Sequence, residues 1–178
     1  MLITIPLLYR LFFLYIEPIS ALVGSYFAAG APATYLHLLA STASKSTLDV
    51  SSNPPNTPTL VSLYQLSNLY LLFALNEHLV LSSATSLITW RRLLFCLLIA
   101  DFGHLATMYP LAVERGLAVG RTEALMRVYA YFWEWNAMDW GSVGFVYCGA
   151  LMRLSFLLGV GLSSPASEDQ ARRQSKQE

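Results

Sequence analysis

The chain has 178 residues, 55% hydrophobic and only 12% charged, with a formal net charge of zero. Soluble proteins carry roughly 25% charged residues, so this composition points away from a water-soluble domain and toward one small integral membrane domain. Without a basic block outside its tail, the chain also lacks the face a nucleic-acid binder needs to neutralise phosphates.

The pattern predicts an all-α integral membrane fold. It consists of a bundle of four transmembrane helices over residues 1–162, with an additional interfacial amphipathic helix before the last span, then a disordered polar cytosolic tail over 163–178. Span 1 runs from about Ile3 to Ala28. It is apolar from the start, and Arg10 and Glu17 lie inside it. Those two charges argue for an uncleaved helix, although Ala29-Gly30-Ala31 imitates a signal cleavage site. Pro18 removes one backbone donor just after Glu17, which predicts a kink or local loosening there.

From Pro32 to Thr59 the composition turns to Ser, Thr, Pro and Asn, including SSNPPNTPT at 51–59. This reads as a solvent-exposed loop. Its short apolar stretch, Tyr35 to Leu39, is expected at the membrane interface with His37 as a polar tip.

Span 2, Leu60 to Leu81, carries Gln65, Asn68 and Asn76 at helical spacing, with Glu77 beside the end of that stripe. Such amides are expected to face the bundle interior. There they act either as interhelical glue, at about 0.6 to 2 kcal/mol each, or as one wall of a substrate chamber.

Span 3 lies in the 20-residue run Trp90 to Tyr109, preceded by the surface-anchor pattern Trp90-Arg91-Arg92 and closed by Pro110. Within it, LLIADFGHL at 97–105 places Asp101 and His104 three apart on one helical face, with Gly103 between them to admit a neighbouring helix or a ligand. A carboxylate near the middle of a span is costly wherever lipid can reach it, so this face should look at protein or a cavity. It is the first candidate site; the alternative is a purely structural hydrogen bond between helices.

Between Val113 and Trp135, Glu123, Arg127 and Glu134 recur on one face and Leu125, Val128, Tyr129, Phe132 and Trp133 on the other. That suits one amphipathic helix in the interface, with a fifth crossing as the alternative. Span 4, Met138 to Leu162, opens in WEWNAMDWG, which clusters Trp133, Trp135, Trp140, Asn136 and Asp139 at its entry. Gly141, Gly144 and Gly149 offer close helix packing, and Arg153 is buried a few turns on. Cys96 and Cys148 fall in apolar spans, where they are expected to be buried and reduced.

Five basic residues on the side of the termini against four on the other favour cytosolic termini. Counting ~1.5 Å per residue from each midpoint puts Glu17 and Asp101 at the bilayer centre and His104 one turn away. Arg10, Glu77 and Arg153 come out together on the cytosolic half, where Glu77 is expected to form structural ion pairs with one or both arginines. With only His104 as a basic neighbour at their level, Glu17 and Asp101 form a dry acid site in which at least one carboxyl keeps its proton at neutral pH. Asp139 is either a further acid or the cap of span 4. Asn68, Asn76, Trp135 and Trp140 are the candidate substrate contacts. An acid held among aliphatic and aromatic groups suits protonation of a double bond or epoxide on an apolar substrate, followed by a carbocation that aromatic faces can stabilise.

The stretches LYRLFFLYIEPISALVGSY, LYLLFALNEHLVL, LLIADFGHL and WNAMDWGSVGFVYCGALMRLSFLLG resemble a group of small fungal membrane proteins. That group includes the membrane-bound terpene cyclases of meroterpenoid biosynthesis, of the ascofuranone and macrophorin type. The resemblance covers all four spans. It implies a secondary-metabolism enzyme of the endoplasmic reticulum that cyclises the farnesyl chain of a prenylated aromatic or epoxyquinone, macrophorin-like drimane formation being the closer case. No metal or other cofactor is expected: the aspartate-rich DDxxD and DxDD motifs of soluble terpene synthases are absent, as is zinc or haem spacing. The expected partners are the prenylated small-molecule substrate and membrane lipid. A double-bond isomerase or hydratase acting on a sterol-like lipid, and a non-catalytic adaptor or lipid carrier, are the competing readings.

Overall fold

The computed structural model describes residues 5–40 and 55–162, apart from the side chains of 115–119. The tail at 163–178 and residues 41–54 of the Ser/Thr/Pro loop lie outside the described residues. Prolines and polar caps set the helix ends. Helix α1, Leu7–Gly30, starts after Pro6 and stops where Ala31 leaves helical geometry ahead of Pro32. That proline opens α2, Pro32–Leu39, so the first part of the expected loop is helical. Asn56 caps α3, Thr57–Leu81, by accepting the Thr59 N–H at 2.9 Å, with Pro58 in the first turn where no donor is needed.

Helix α4, Leu87–Thr107, turns at Met108 into α5, Tyr109–Val119, with Pro110 at its second position. Gly120 then takes φ 92, a left-handed value that favours glycine, and breaks the chain into α6, Arg121–Tyr129. A short 3-10 turn, Phe132–Glu134, leads into α7, Ala137–Leu157. Asn136 and Asp139 cap α7 reciprocally, the Asn136 side chain accepting from the backbone and Asp139 accepting the Asn136 N–H.

Among the described residues there is no strand. Four stretches are long and apolar enough to cross a bilayer: Leu7–Gly30, Thr57–Leu81, Leu87–Glu114 and Ala137–Leu157. Helix α1 packs along α3, and α4 along α7. In the first pair the hydroxyls of Ser25 and Ser67 each reach the other's carbonyl at 3.0 Å, and the Tyr70 ring lies over Gly24. Phe13, Leu81, Leu94 and Phe156, one from each long helix, join the two pairs in a shared apolar cluster.

Several expectations are corrected. The 113–135 segment is two helices broken at Gly120. Nine-residue α6 spans only about 14 Å, too short for a fifth crossing. Its Ala124 and Val128 are buried, whereas Phe132 and Trp133 are exposed. Trp90 is no surface anchor. Its ring packs against Phe156 in the core and its indole N–H donates to the Ala84 carbonyl at 3.2 Å. Cys96 and Cys148 are free thiols but exposed on the bundle surface. Gln65 and Asn68 also face outward. These helices carry apolar residues on their exposed as well as their buried faces, so apolar context alone does not place a side chain inside.

Candidate functional site

Three of the four long helices carry a π-helical turn: Phe12–Ile16, Asn76–Leu81 and Trp140–Gly144. Such widened turns cluster at functional sites because they re-aim the side chains beside them. Glu17 directly follows the first and Glu77 lies in the second. The cause of the first is visible: Pro18 has no N–H, so the Leu14 carbonyl loses its helical donor. Nδ1 of His78 takes that carbonyl at 2.8 Å, tying α3 to α1. The loosening expected at Pro18 is present, and its partner is a residue the sequence reading left without a role.

Glu17, Glu77 and Asp101, from α1, α3 and α4, converge on Arg153 of α7. Nη1 donates to Asp101 Oδ2 at 2.7 Å; Nη2 donates to Glu17 Oε1 at 2.6 Å and to Glu77 Oε1 at 3.0 Å. The guanidinium also lies over the Phe13 and Phe73 rings, 5.7 Å from each centroid. The side chains of Arg153 and Glu77 are 0% exposed, that of Glu17 6% and that of Asp101 9%. Asp101 is therefore the least buried of the three carboxyls. Gly149 makes the cluster possible: a Cβ there would stand 2.8 Å from Nη1 and 3.0 Å from Glu17 Oε1.

One guanidinium balances one carboxylate. Three ionised acids around it would leave two uncompensated charges in a water-poor interior, which is far more unfavourable than holding protons. Glu17 and Glu77 share the same nitrogen, so their carboxyls are neighbours, and the Oε2 atom of each meets no donor. A proton between them turns that repulsive pair into a hydrogen bond. The cluster is thus a fixed guanidinium surrounded by an acid reserve.

The depth count is corrected in part. Glu77 does pair with Arg153, but Arg10 is exposed and takes no part. Glu17 and Asp101, read as lacking a basic partner beyond His104, share Arg153. On a helix the Cα–Cβ bond tilts toward the N-terminus, so the long arginine side chain reaches from its own level back toward theirs.

His104 sits one turn beyond Asp101. Its Nε2 is buried without a partner. Gly103 faces open space rather than a neighbouring helix. Asp139 is buried in the capping box of α7, one turn before Ser142. Asn76 donates to its own helix at the Leu72 carbonyl, 3.0 Å away, and Asn68 points away from the cluster, so neither lines it. Trp135 and Trp140 pack edge to face with centroids 5.2 Å apart, closing over Gly144, where a Cβ would stand 2.7 Å from the Trp140 ring. Among the described residues no group of three or more His, Cys, Asp or Glu side chains is arranged to hold a metal. In the acid cluster Arg153 occupies the place a cation would take.

Residues 2–163 match a family described as Domain of unknown function (DUF7704). The chain belongs to that family. No curated protein and no solved structure matches it. The family description assigns no chemistry, so the chemistry of this DUF7704 member is argued from the Arg153 cluster and its surroundings.

Proposed function

We propose that this DUF7704 member is a multi-pass protein of the endoplasmic reticulum membrane, its four long helices crossing the bilayer and α5–α6 lying at the interface. In this reading it is a membrane-bound terpene cyclase. It cyclises the farnesyl chain of a prenylated aromatic or epoxyquinone by protonation, in the manner of drimane-forming meroterpenoid enzymes. The observation that carries the reading is the convergence of three carboxyls from three helices on one buried guanidinium, which leaves acid protons stored in an apolar interior.

Asp101 is the donor, since its side chain is the least buried of the three acids. Its proton adds to the terminal olefin carbon, or to the epoxide oxygen with opening of the C–O bond. The resulting cation is captured by the internal double bonds, forming ring C–C bonds. The last cation loses a proton to His104 Nε2, which has no other partner, and the proton returns to Asp101. Proton in and proton out balance, so the reaction is an isomerisation of the chain. Arg153 sets the direction of the Asp101 carboxyl and Glu17 supplies the reserve proton.

Membranes holding the protein, fed a farnesylated phenol or epoxyquinone, test the assignment. Wild type should yield cyclised product, and Asp101→Asn none at equal protein level. A hydratase or isomerase would instead return an uncyclised skeleton. One observation favours a second, non-catalytic reading: all three acids are bonded to Arg153, as in a lock between helices. In that case Asp101→Asn loses stability, and no prenylated substrate turns over.

A further inference from the structure

Helix α3 buries one narrow side. Leu63, Ser67 and Ala74 face α1, and most of the remainder is exposed. At about 100° per residue, the opposite side carries Val61, Gln65, Asn68, Leu72, Leu75 and Leu79, separated by four, three, four, three and four residues. All six are exposed, the four apolar ones at 48%, 53%, 45% and 56% in chain order. That alternation is the a/d repeat of a left-handed helix pair, and a bundle that uses α3 only from its other face leaves it unoccupied.

Two of the six positions are amides. Asn68 is one residue from the midpoint of Thr57–Leu81 and Gln65 is one turn away. Neither side chain has a hydrogen-bond partner among the described residues, whereas Asn76 satisfies itself on its own backbone. An amide facing hydrocarbon with no partner is strongly unfavourable, and no other described group of this chain reaches these two.

We propose that this face pairs with the same face of a second copy, giving a parallel homodimer whose two-fold axis runs along the membrane normal between the two α3 helices. The occupant follows from the chemistry. An amide is both donor and acceptor, so Asn68 and Gln65 are self-complementary across a two-fold, and two copies inserted with one topology bring the same depths together. The leucines at 72, 75 and 79 then interdigitate below the amides, which set the register. The inference rests on the reading that the four helices cross a bilayer, but not on catalysis.

The test uses the full chain, with Cys96→Ser and Cys148→Ser, in membranes and then in detergent at several protein-to-detergent ratios. Resistance to alkaline carbonate extraction checks the membrane reading separately. Leu72→Cys should form disulfide-linked dimers on oxidation, whereas Phe102→Cys and Leu151→Cys, on other exposed faces, should not. Sedimentation should give a dimer that Gln65→Leu/Asn68→Leu weakens by roughly tenfold without unfolding, since both substitutions place an apolar group toward lipid. A carbonate-resistant protein that sediments as a monomer at every ratio, cross-links equally from all three positions, or keeps its dimer in the Leu variant overturns the proposal.

Discussion

The carbonyl oxygen of Leu14, left without a helical donor by Pro18, accepts a hydrogen bond from Nδ1 of His78 at 2.8 Å. This bond joins α1 to α3 one residue away from Glu77. Replacing His78 with Phe should leave that carbonyl unpaired at a loss of about 1–3 kcal/mol. The loss should shrink when Pro18 is also replaced by Ala, because the restored N–H lies in the same chain. Thermal unfolding of the four variants in detergent gives the coupling; additive effects would mean the two residues do not share the carbonyl.

Gly149→Ala places a methyl within 2.8 Å of Arg153 Nη1 and 3.0 Å of Glu17 Oε1. Both atoms belong to a buried, bonded network with no room to yield, so a destabilisation of about 2 kcal/mol or more is expected. Gly103→Ala meets nothing within 4 Å and, by helix propensity, should be neutral or stabilising by up to about 1 kcal/mol. Equal unfolding temperatures for the two variants would contradict the packing described for Gly149.

Arg153→Met should be among the most damaging single substitutions, at about 3–5 kcal/mol, because it strands three buried acids. Arg153→Lys should also fail, since a point-like ammonium cannot reproduce the fork that serves Asp101 from one nitrogen and both glutamates from the other. Adding Glu77→Gln and Glu17→Gln to Arg153→Met should recover part of the lost protein level. Unchanged accumulation of the Met variant would mean the cluster does not hold the four helices together.

The Arg127 contacts behave differently. Arg127 Nε lies 3.2 Å from Glu123 Oε1 and 3.8 Å from Glu134 Oε2, and all three side chains are about two-fifths exposed. Solvent screening keeps such pairs weak, so Arg127→Ala should change stability by no more than about 1 kcal/mol. A loss on the scale of Arg153→Met would show that α6 packs through that ion pair.

The four long helices were legible in the sequence because each is a long, nearly unbroken apolar run, and Pro18 announced its own missing donor. Direction was harder to read. Gln65, Asn68 and Asn76 keep helical spacing whether they look inward or outward, and Leu at a lipid-facing position is indistinguishable from Leu in the core. Trp90, Cys96 and Cys148 were misplaced for the same reason. The acids Glu17, Asp101 and Glu77 stood out individually, yet their meeting at Arg153 did not, since a depth count tracks Cα atoms and not the reach of a guanidinium. The sequence left Asp139 as either a further acid or the cap of span 4, and the structure shows it capping α7 together with Asn136.

The claim on which the proposal turns is that a stored carboxyl proton of the Arg153 cluster ends up on the substrate. The direct measurement is mass analysis of product formed in deuterated water from a farnesylated phenol or epoxyquinone, by wild type and by Asp101→Asn at matched protein levels. The account predicts a cyclised product carrying solvent deuterium from wild type and none from the variant, whose amide still accepts from Arg153 but has no acidic proton to give. Cyclised, deuterated product formed at the wild-type rate by Asp101→Asn would contradict it.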